Sequence, residues 1–382
     1  MCAWIAVKPR IPARINPIDC IASQAHAFCV LSTRQFGVCA RHDACPVSNG
    51  FILVECHALA GKCARMKLED FDRWIKRRQL LKSAIALAGC VFLSRAGIAE
   101  GSSSRLILLG TGGGPRPRRA SSAPAQVIIV NGAAYVVDCG DGVARQLVSA
   151  GVPLPTVRHV FLTHQHSDHN ADYGNLLLLA WTSGLRTRVD TWGPPPLEQM
   201  TSLFLELNAY DIQVRMEDEG RIPLRPLIHA HELTESGLVF EDENVRVRAA
   251  LVDHPPVVPA FAYRLDASDR SFVISGDTKP SENLIDLARG ADVLVHDAFY
   301  PAAIDRLVEK VPNASRLKQS ILSHHTSAED AGRVAQAARV DTLVLSHLIP
   351  ADDPAVTDQM WIDAASAHFE GKVVVGRDLL AL

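Results

Sequence analysis

Short stretches of apolar residues, some alternating with polar residues and some continuous, recur along the chain from Arg105 onward. Alternation with a period of two predicts half-buried strands, and continuous apolar runs of about four to eight residues predict strands buried on both faces. Asn131-Gly132 separates two of the stretches, and this dipeptide supplies the positive φ angles of a tight hairpin turn. The predicted strands are RLILLG (105–110), QVIIV (126–130), AYVVD (134–138), RHVFL (158–162), VRVRAALV (245–252), FAYRL (261–265), SFVIS (271–275), VLVH (293–296) and TLVLS (342–346).

Segments with helical periodicity lie between these strands. One helix is stopped by Gly151, and another begins at Thr326-Ser327-Ala328-Glu329, which has the capping-box pattern, and runs through Ala338. No linker and no internal repeat divides residues 105–382, so the pattern predicts one α/β domain, which we place at residues 101–382. The other predicted helices are VARQLVSA (143–150), NLLLLAWTS (175–183), 197–210 and SENLIDLA (281–288).

Composition and charge limit the classes of partner. The chain has 382 residues, 48% of them hydrophobic, which is sufficient for a sizeable core. A formal charge of −3 gives no basic field that would hold a phosphate backbone. This negative net charge counts against nucleic acid as a binding partner.

Seven of the nine cysteines precede residue 66, and beyond Cys90 the chain has only Cys139. The main domain therefore cannot contain an internal disulfide framework. Residues 1–65 show no clear helical or strand periodicity and form a doubtful leader. We expect Met66 to be the true start of the protein.

A twin arginine at Arg77-Arg78, a short apolar segment and small residues before a polar linker are typical of a twin-arginine export signal over residues 66–100. The signal predicts recognition by the twin-arginine export machinery, cleavage near Ala99 and a periplasmic or secreted protein. The apolar segment is shorter than the ~20 residues of a stable membrane anchor. Two alternatives are a buried amphipathic helix with a basic flank and lipoprotein processing at Cys90.

Histidines and aspartates follow several predicted strands directly. Rigid strands deliver such side chains to a shared sheet edge, where residues distant in sequence can converge. Zn²⁺ binds neutral imidazole and carboxylate oxygen, and five histidines with two aspartates would suit two ions. The candidate ligands are His164, His166, Asp168 and His169 after 158–162, His254 after 245–252, Asp277 after 271–275, and His347 after 342–346.

The sequence THQHSDH at 163–169 resembles the metallo-β-lactamase fold superfamily. Residues 109–115 (LGTGGGP), 138–140 (DCG) and 323–329 (SHHTSAE) resemble its ribonuclease Z and arylsulfatase-like branch. The resemblance implies an αββα sandwich of two mixed β-sheets flanked by helices. It also implies that His164, His166 and His254 hold one metal, that Asp168, His169 and His347 hold the other, and that Asp277 bridges them. Zinc is the expected metal, with Mn²⁺ or Fe²⁺ as alternatives.

The resemblance further implies a dinuclear zinc-dependent hydrolase that attacks a phosphodiester or sulfate ester with a metal-bound hydroxide. Asp168 would orient the nucleophile, and Asp138 would hydrogen-bond a ligand imidazole and fix its tautomer. His325 would serve the leaving oxygen, although capping the helix that follows is the alternative. Glycines at 110, 112, 113 and 114 would permit close backbone approach to the site.

Asp277 follows His254 by only 23 positions, which leaves no room for the transfer-RNA-gripping arm of ribonuclease Z. A small anionic ester is therefore the expected substrate, with Phe204 and Tyr210 as a possible apolar wall or as ordinary core. Alternatives are a lactone or carboxylic ester hydrolase, a β-lactamase, iron-dependent oxidation, and a metal-dependent binding protein without turnover. We expect His229, His231 and His324 to be surface or loop residues, with the first two as a secondary metal candidate.

Overall fold

The computed structural model describes residues 51–53, 65–67 and 104–382. The chain divides into two units, Met1–Ala96 and Gly97–Leu382. In the first unit, strand β1 (Phe51–Leu53) pairs antiparallel with β2 (Arg65–Lys67). Apart from these strands, the leader predicted at 1–65 and the export signal predicted at 66–100 lie outside the described residues and stay predictions.

The second unit begins with a six-stranded mixed sheet in the order β3-β4-β5-β6-β7-β8. Its first three strands pair antiparallel, and the remaining pairs are parallel. The hairpin turn predicted at Asn131-Gly132 joins β4 to β5, with φ of 50° and 79°. The strands are β3 (Arg105–Gly110), β4 (Ala125–Val130), β5 (Ala133–Val137), β6 (Val157–Phe161), β7 (Val189–Gly193) and β8 (Ile228–Glu232).

A seven-stranded mixed sheet with the order β15-β14-β13-β12-β11-β10-β9 follows. Strands β9 to β12 pair antiparallel, whereas β12 to β15 pair in parallel. Its strands are β9 (Gly237–Glu241), β10 (Val245–Val252), β11 (Ala260–Ala267), β12 (Ser271–Ile274), β13 (Val293–Phe299), β14 (Thr342–Ile349) and β15 (Lys372–Val375).

Helices occupy the connections between these strands. Among the described residues, none is long and apolar enough to cross a bilayer. They are α1 (Val143–Ser149), α2 (Ser167–Asn170), α3 (Tyr173–Thr182), α4 (Leu197–Leu207), α5 (Ala209–Glu219), α6 (Glu282–Ala288), α7 (Ile304–Glu309), α8 (Leu317–His324), α9 (Ala328–Ala338) and α10 (Asp358–Ser366).

The apolar core lies in three layers. In the middle layer the two sheets face each other, and the rings of Phe161 and Tyr263 lie 5.4 Å apart. Helices α1, α3 and α4 cover the outer face of the first sheet, with Trp181 in that layer. Helices α6, α9 and α10 cover the outer face of the second sheet, where Trp361 packs. The αββα sandwich of two mixed sheets flanked by helices is therefore confirmed.

Two helix predictions need correction. The helix predicted over 197–210 is two helices, because Asn208 ends α4 and precedes α5, while its amide donates back to the carbonyl of Phe204. Helix α9 starts one residue later than the capping-box pattern indicates. Ser327 is its N-cap, accepting from the amide of Asp330 at 3.1 Å, whereas Thr326 is buried and donates to the carbonyl of Thr278.

Candidate metal centre

The seven predicted ligands meet where strands of the two sheets end. The segment that carries His164 leaves β6, His254 follows β10, and Asp277 follows β12. The prediction that His347 follows its strand is wrong: it lies within β14, at a φ of 46° that is uncommon for a residue with a side chain. All seven side chains are buried or half-buried. The strand-end pattern therefore brings these residues together from across the sequence.

His164, His166, His254 and Asp277 form the first group of converging ligand atoms. Nδ1 of His166 lies 3.0 Å from Nε2 of His164 and 3.2 Å from Nε2 of His254. Nε2 of His164 lies 3.7 Å from Oδ2 of Asp277. Ligands about 2.0 to 2.1 Å from a tetrahedral zinc ion would be separated by roughly 3.3 to 3.4 Å. The spacing therefore fits a small divalent cation.

Asp168, His169, Asp277 and His347 form the second group, which shares Asp277 with the first. Nε2 of His347 lies 3.3 Å from Oδ2 of Asp168 and 3.1 Å from Oδ2 of Asp277. Nε2 of His169 and Oδ1 of Asp277 are 3.2 Å apart, buried, and without a hydrogen-bond partner. Two buried ligand atoms that face each other in this way fit a bound cation.

Burial lowers the pKa of His164, His166 and His254, in the last case to about 4. These three imidazoles are therefore neutral near pH 7, which is the form that binds a metal. Burial also lowers the pKa of His347, but Asp277 and Asp168 outweigh it and raise the value to about 9. Without a cation, a proton on His347 offsets the charge of the neighbouring carboxylates, so this half of the centre requires positive charge.

Hydrogen bonds behind the ligands fix their orientation. Oδ2 of Asp138 accepts from Nδ1 of His169 at 2.8 Å, and its Oδ1 accepts from the amide of Thr163 at 2.8 Å. The structure thus places Asp138 against a candidate ligand imidazole, at a φ of 61°. Nδ1 of His254 donates to the carbonyl of His324 at 2.9 Å, so His324 contributes through its backbone. Such contacts set which ring nitrogen faces the metal.

The glycine-rich loop after β3 lies directly on the second group. A Cβ at Gly113 would meet Nδ1 of His347 at 2.6 Å, and the amide of Gly114 donates to Oδ2 of Asp168 at 2.9 Å. Arg118 donates to the carbonyls of Gly113 and Gly114 and holds this loop in place. Sequence reasoning identified the glycines but missed Arg118. This arginine reaches their carbonyls only because the chain turns back on itself after Gly114.

His325 lies beside the second group and pairs with an aspartate that sequence reasoning missed. Its Nδ1 is 3.1 Å from Oδ2 of Asp297, and its ring stacks on that of His347 with centroids 5.3 Å apart. Burial would raise the pKa of Asp297, but hydrogen bonds from His296 and His325 hold it below its usual range. The available signal was His296-Asp297, two polar residues inside the otherwise apolar strand β13.

A cleft of about 670 Å³ opens over the second group and His325. Phe204 and Tyr210, predicted as an apolar wall, do not line it: Phe204 lies against Gly174, and Tyr210 is 83% exposed. The apolar side of the cleft comes instead from α7, α8 and the end of β14. We call these residues the aliphatic wall: Leu307, Val311, Ala314, Leu317, Ile321 and Ile349.

The two histidines of the HAH sequence lie in strand β8 rather than in a loop. His229 and His231 are separated by one residue and so point to the same face of the strand. Nε2 of His231 is 2.7 Å from Asp190, and Nε2 of His229 is 3.2 Å from the carbonyl of Pro226. Among the described residues, no group of three metal-binding side chains includes either of them.

The chain matches the model of a known protein family. Residues 134–348 match the model of the beta-lactamase superfamily domain. The chain is also 33% identical over 277 residues to ribonuclease Z of Mycobacterium bovis (strain BCG / Pasteur 1173P2), which covers 72% of this chain and 96% of the relative.

Solved structures give the same fold. The metallo-β-lactamase fold protein YhfI from Bacillus subtilis is 19% identical, covers 73% of this chain and 98% of its own, and superposes with a TM-score of 0.55. The short form of human tRNase Z is 22% identical, with 73% and 98% coverage and a TM-score of 0.53. At these identities the likeness concerns the fold.

Proposed function

Because this chain belongs to the β-lactamase superfamily, in its ribonuclease Z-like branch, and is a metal-dependent hydrolase, we propose that it hydrolyses phosphodiesters at a centre of two divalent cations. The observation that carries the proposal is the pair of ligand groups that share Asp277, next to the His325–Asp297 pair. The name ribonuclease Z of the mycobacterial relative supports a phosphodiester as the ester.

The proposed ligands are His164, His166 and His254 on one side and Asp168, His169 and His347 on the other, with Asp277 between. Three imidazole nitrogens favour zinc, while the more oxygen-rich group leaves Mn²⁺ or Fe²⁺ as alternatives. When bound, two such cations would lower the pKa of water toward neutrality and offset negative charge on the ester oxygens.

The remaining chemistry belongs to the protein's own side chains. Burial would raise the pKa of Asp168, but His169 and His347 hold it below its usual range, so the carboxylate stays ionised at the base of the cleft. It is fixed there by the amide of Gly114 and can accept a hydrogen bond from the attacking water. Asp168 is therefore proposed to orient the nucleophile.

His325 is proposed to give a proton to the leaving oxygen. Nδ1–H of His325 is directed at ionised Asp297, so the imidazolium form presents the N–H of Nε2 to the substrate and can give that proton to the leaving oxygen. His325 also lines the cleft, so an ester bound there can reach it. His325 lies between α8 and α9. It does not cap α9, because Ser327 is the N-cap of that helix.

Nucleic acid needs separate consideration. The overall charge of −3 counts against a nucleic-acid substrate, whereas the similarity to ribonuclease Z favours one. The interval of 23 positions between His254 and Asp277 also counts against a long RNA-gripping arm in this chain. We propose a small phosphodiester, and an RNA strand is the competing substrate to be tested.

The test compares bis-p-nitrophenyl phosphate, p-nitrophenyl sulfate and a short single-stranded RNA with zinc-loaded protein. We expect metal-dependent release of nitrophenol from the phosphodiester and a loss of at least about 100-fold in His325→Gln and Asp168→Asn. His229→Gln, a histidine outside the centre, is the matched control and should retain full activity.

Hydrolysis of the sulfate in place of the phosphodiester would move the assignment to sulfate esters. Cleavage of RNA with no turnover of the small diester would favour a nuclease. If two metals bind and no substrate is turned over, the phosphodiesterase proposal is wrong, and lactone or acyl substrates, or a binding function, become the next hypotheses.

A further inference from the structure

The cleft over the metal centre has two chemically different sides. Its base carries the ionisable groups His166, Asp168, Asp277, His325 and His347. The aliphatic wall faces them with six apolar side chains, interrupted by Asn313 and Ser320. An ester bound at the base would therefore present one of its two substituents to an apolar surface.

The aliphatic wall is a supported surface rather than a loose loop. Ile321 and Ile349 are buried in a separate small core with Phe299 and Ile304, and Leu307 and Leu317 pack against that core. Leu317 and Ile321 lie four residues apart on α8, so they share one face of the helix. A wall backed in this way keeps its shape when the cleft is filled.

The side chains of the wall favour an alkyl group over a nucleobase. Proteins that bind single-stranded nucleic acid stack the bases on aromatic rings. Among the residues that line this cleft, no phenylalanine, tyrosine or tryptophan occurs. Aliphatic side chains instead gain from excluding water around methylene groups.

The cationic groups at the cleft suit one anionic group rather than a chain of phosphates. Arg116 and Arg118 are the arginines that line it, and lysine is missing from its lining. Arg118 is directed at the carbonyls of Gly113 and Gly114. Arg116 is 39% exposed and has only a long contact of 3.5 Å with Asp352. Its guanidinium is thus accessible to a single bound anion.

We propose that the aliphatic wall binds an alkyl substituent of the ester, so that the substrate is a small amphipathic phosphodiester with one aliphatic chain. A cleft of about 670 Å³ lies within the range of roughly 300 to 1,000 Å³ usual for small-molecule sites. This inference rests on the proposed phosphodiesterase function and names its substrate class.

The experiment compares methyl p-nitrophenyl phosphate with hexyl p-nitrophenyl phosphate, which share a leaving group and differ by methylenes. Each methylene buried against the wall is worth about fourfold in affinity. We expect the zinc-loaded protein to prefer the hexyl ester by at least about tenfold in kcat/KM. Calorimetric binding of hexyl and methyl phosphate should show the same preference without any turnover.

Leu317→Ser and Val311→Ser, both at half-buried wall positions, should bring the hexyl-to-methyl ratio close to one while changing methyl-ester turnover less than about threefold. Leu322→Ser is the matched control, because Leu322 lies on α8, is 45% exposed and does not line the cleft. Unchanged melting temperatures would show that the variants fold.

Equal turnover of the two esters, or a preference that survives both wall substitutions, would overturn the alkyl-chain assignment and leave the phosphodiesterase function intact. If neither ester is hydrolysed and hexyl phosphate binds no better than methyl phosphate, both proposals fail. Hexyl preference in binding without turnover would retain the wall as a ligand site and reject the phosphodiesterase proposal alone.

Discussion

The base of the cleft is assembled from strand ends of both sheets, whereas its aliphatic wall comes mainly from two short helices between β13 and α9. At the base, ionisable side chains from both sheets converge, and Asp277 belongs to both ligand groups. The wall makes apolar contacts, which do not require a ligand to adopt one particular orientation. Changes at the base should therefore affect all substrates equally, and changes in the wall should alter only which substrate is preferred.

The strongest test of this division is Asp277→Asn, which removes the negative charge shared by both groups while conserving shape. We expect a loss of about 10³-fold or more in turnover of the methyl and hexyl diesters alike. Metal content by mass spectrometry should fall below two ions per chain. A variant that retained two ions and one tenth of the activity would contradict the shared role of Asp277.

A second test uses pH and the metal-free protein. The pKa of His347 is raised to about 9, so its protonated form stabilises the fold fully below about pH 6.5, and this contribution is lost as the pH rises through 9. We expect the free energy of unfolding in urea with chelator to fall between pH 6 and 9.5, by about 3 kcal/mol from His347 and further because neighbouring carboxylates outweigh burial and also raise the pKa of His169.

His347→Gln provides the control, because it should remove the part of this difference that comes from His347 and leave the part that comes from His169. Metal-free protein that is equally stable at the two pH values would show that no proton on His347 compensates the carboxylates.

A smaller effect is expected for Asp297→Asn, which leaves every proposed ligand in place. Loss of the partner of His325 should lower kcat by about 10- to 100-fold and leave metal content unchanged. Asp286→Asn, at a residue with a 71% exposed side chain, is the matched control.

The smallest effect should come from Gly113→Ala. The added Cβ would meet Nδ1 of His347 and Cγ1 of Ile349 at 2.6 Å and the carbonyl oxygen of His347 at 2.7 Å, so both side chains and the loop must shift. We expect zinc retention against a competing chelator to weaken by about tenfold. Because Ile349 belongs to the aliphatic wall, the preference for hexyl over methyl phosphate should fall as well, and a variant with both properties unchanged would contradict this contact.

The base was largely predictable from sequence, and the wall was not. Apolar strands with His or Asp at their ends give a local pattern, and Thr163 to His169 supplies four ligands within seven positions. Asp297 was not predicted as a site residue because it lies within the buried strand β13 rather than after its end. Its function depends on His325, which lies 28 positions away in sequence.

The wall was missed for a different reason. Helices α7 and α8 span only six and eight residues, and residues 310–316, including Pro312, interrupt their common periodicity. Between Leu307 and Ile321 the apolar residues recur every three or four positions, but no single uninterrupted helix displays them. Similarly, the pattern over 197–210 gave no indication that Asn208 ends one helix and precedes the next.

The ligands come from both sheets, so the two ligand groups become complete at different times during biosynthesis. Residues His164 to His169 emerge from the ribosome long before His347, which lies on β14 close to the end of the chain. A nascent chain can therefore offer the three-histidine group early, but the second group is complete only after β14 has paired with β13. Full metal loading thus reports that the chain has been made through β14 and that β14 has joined the second sheet.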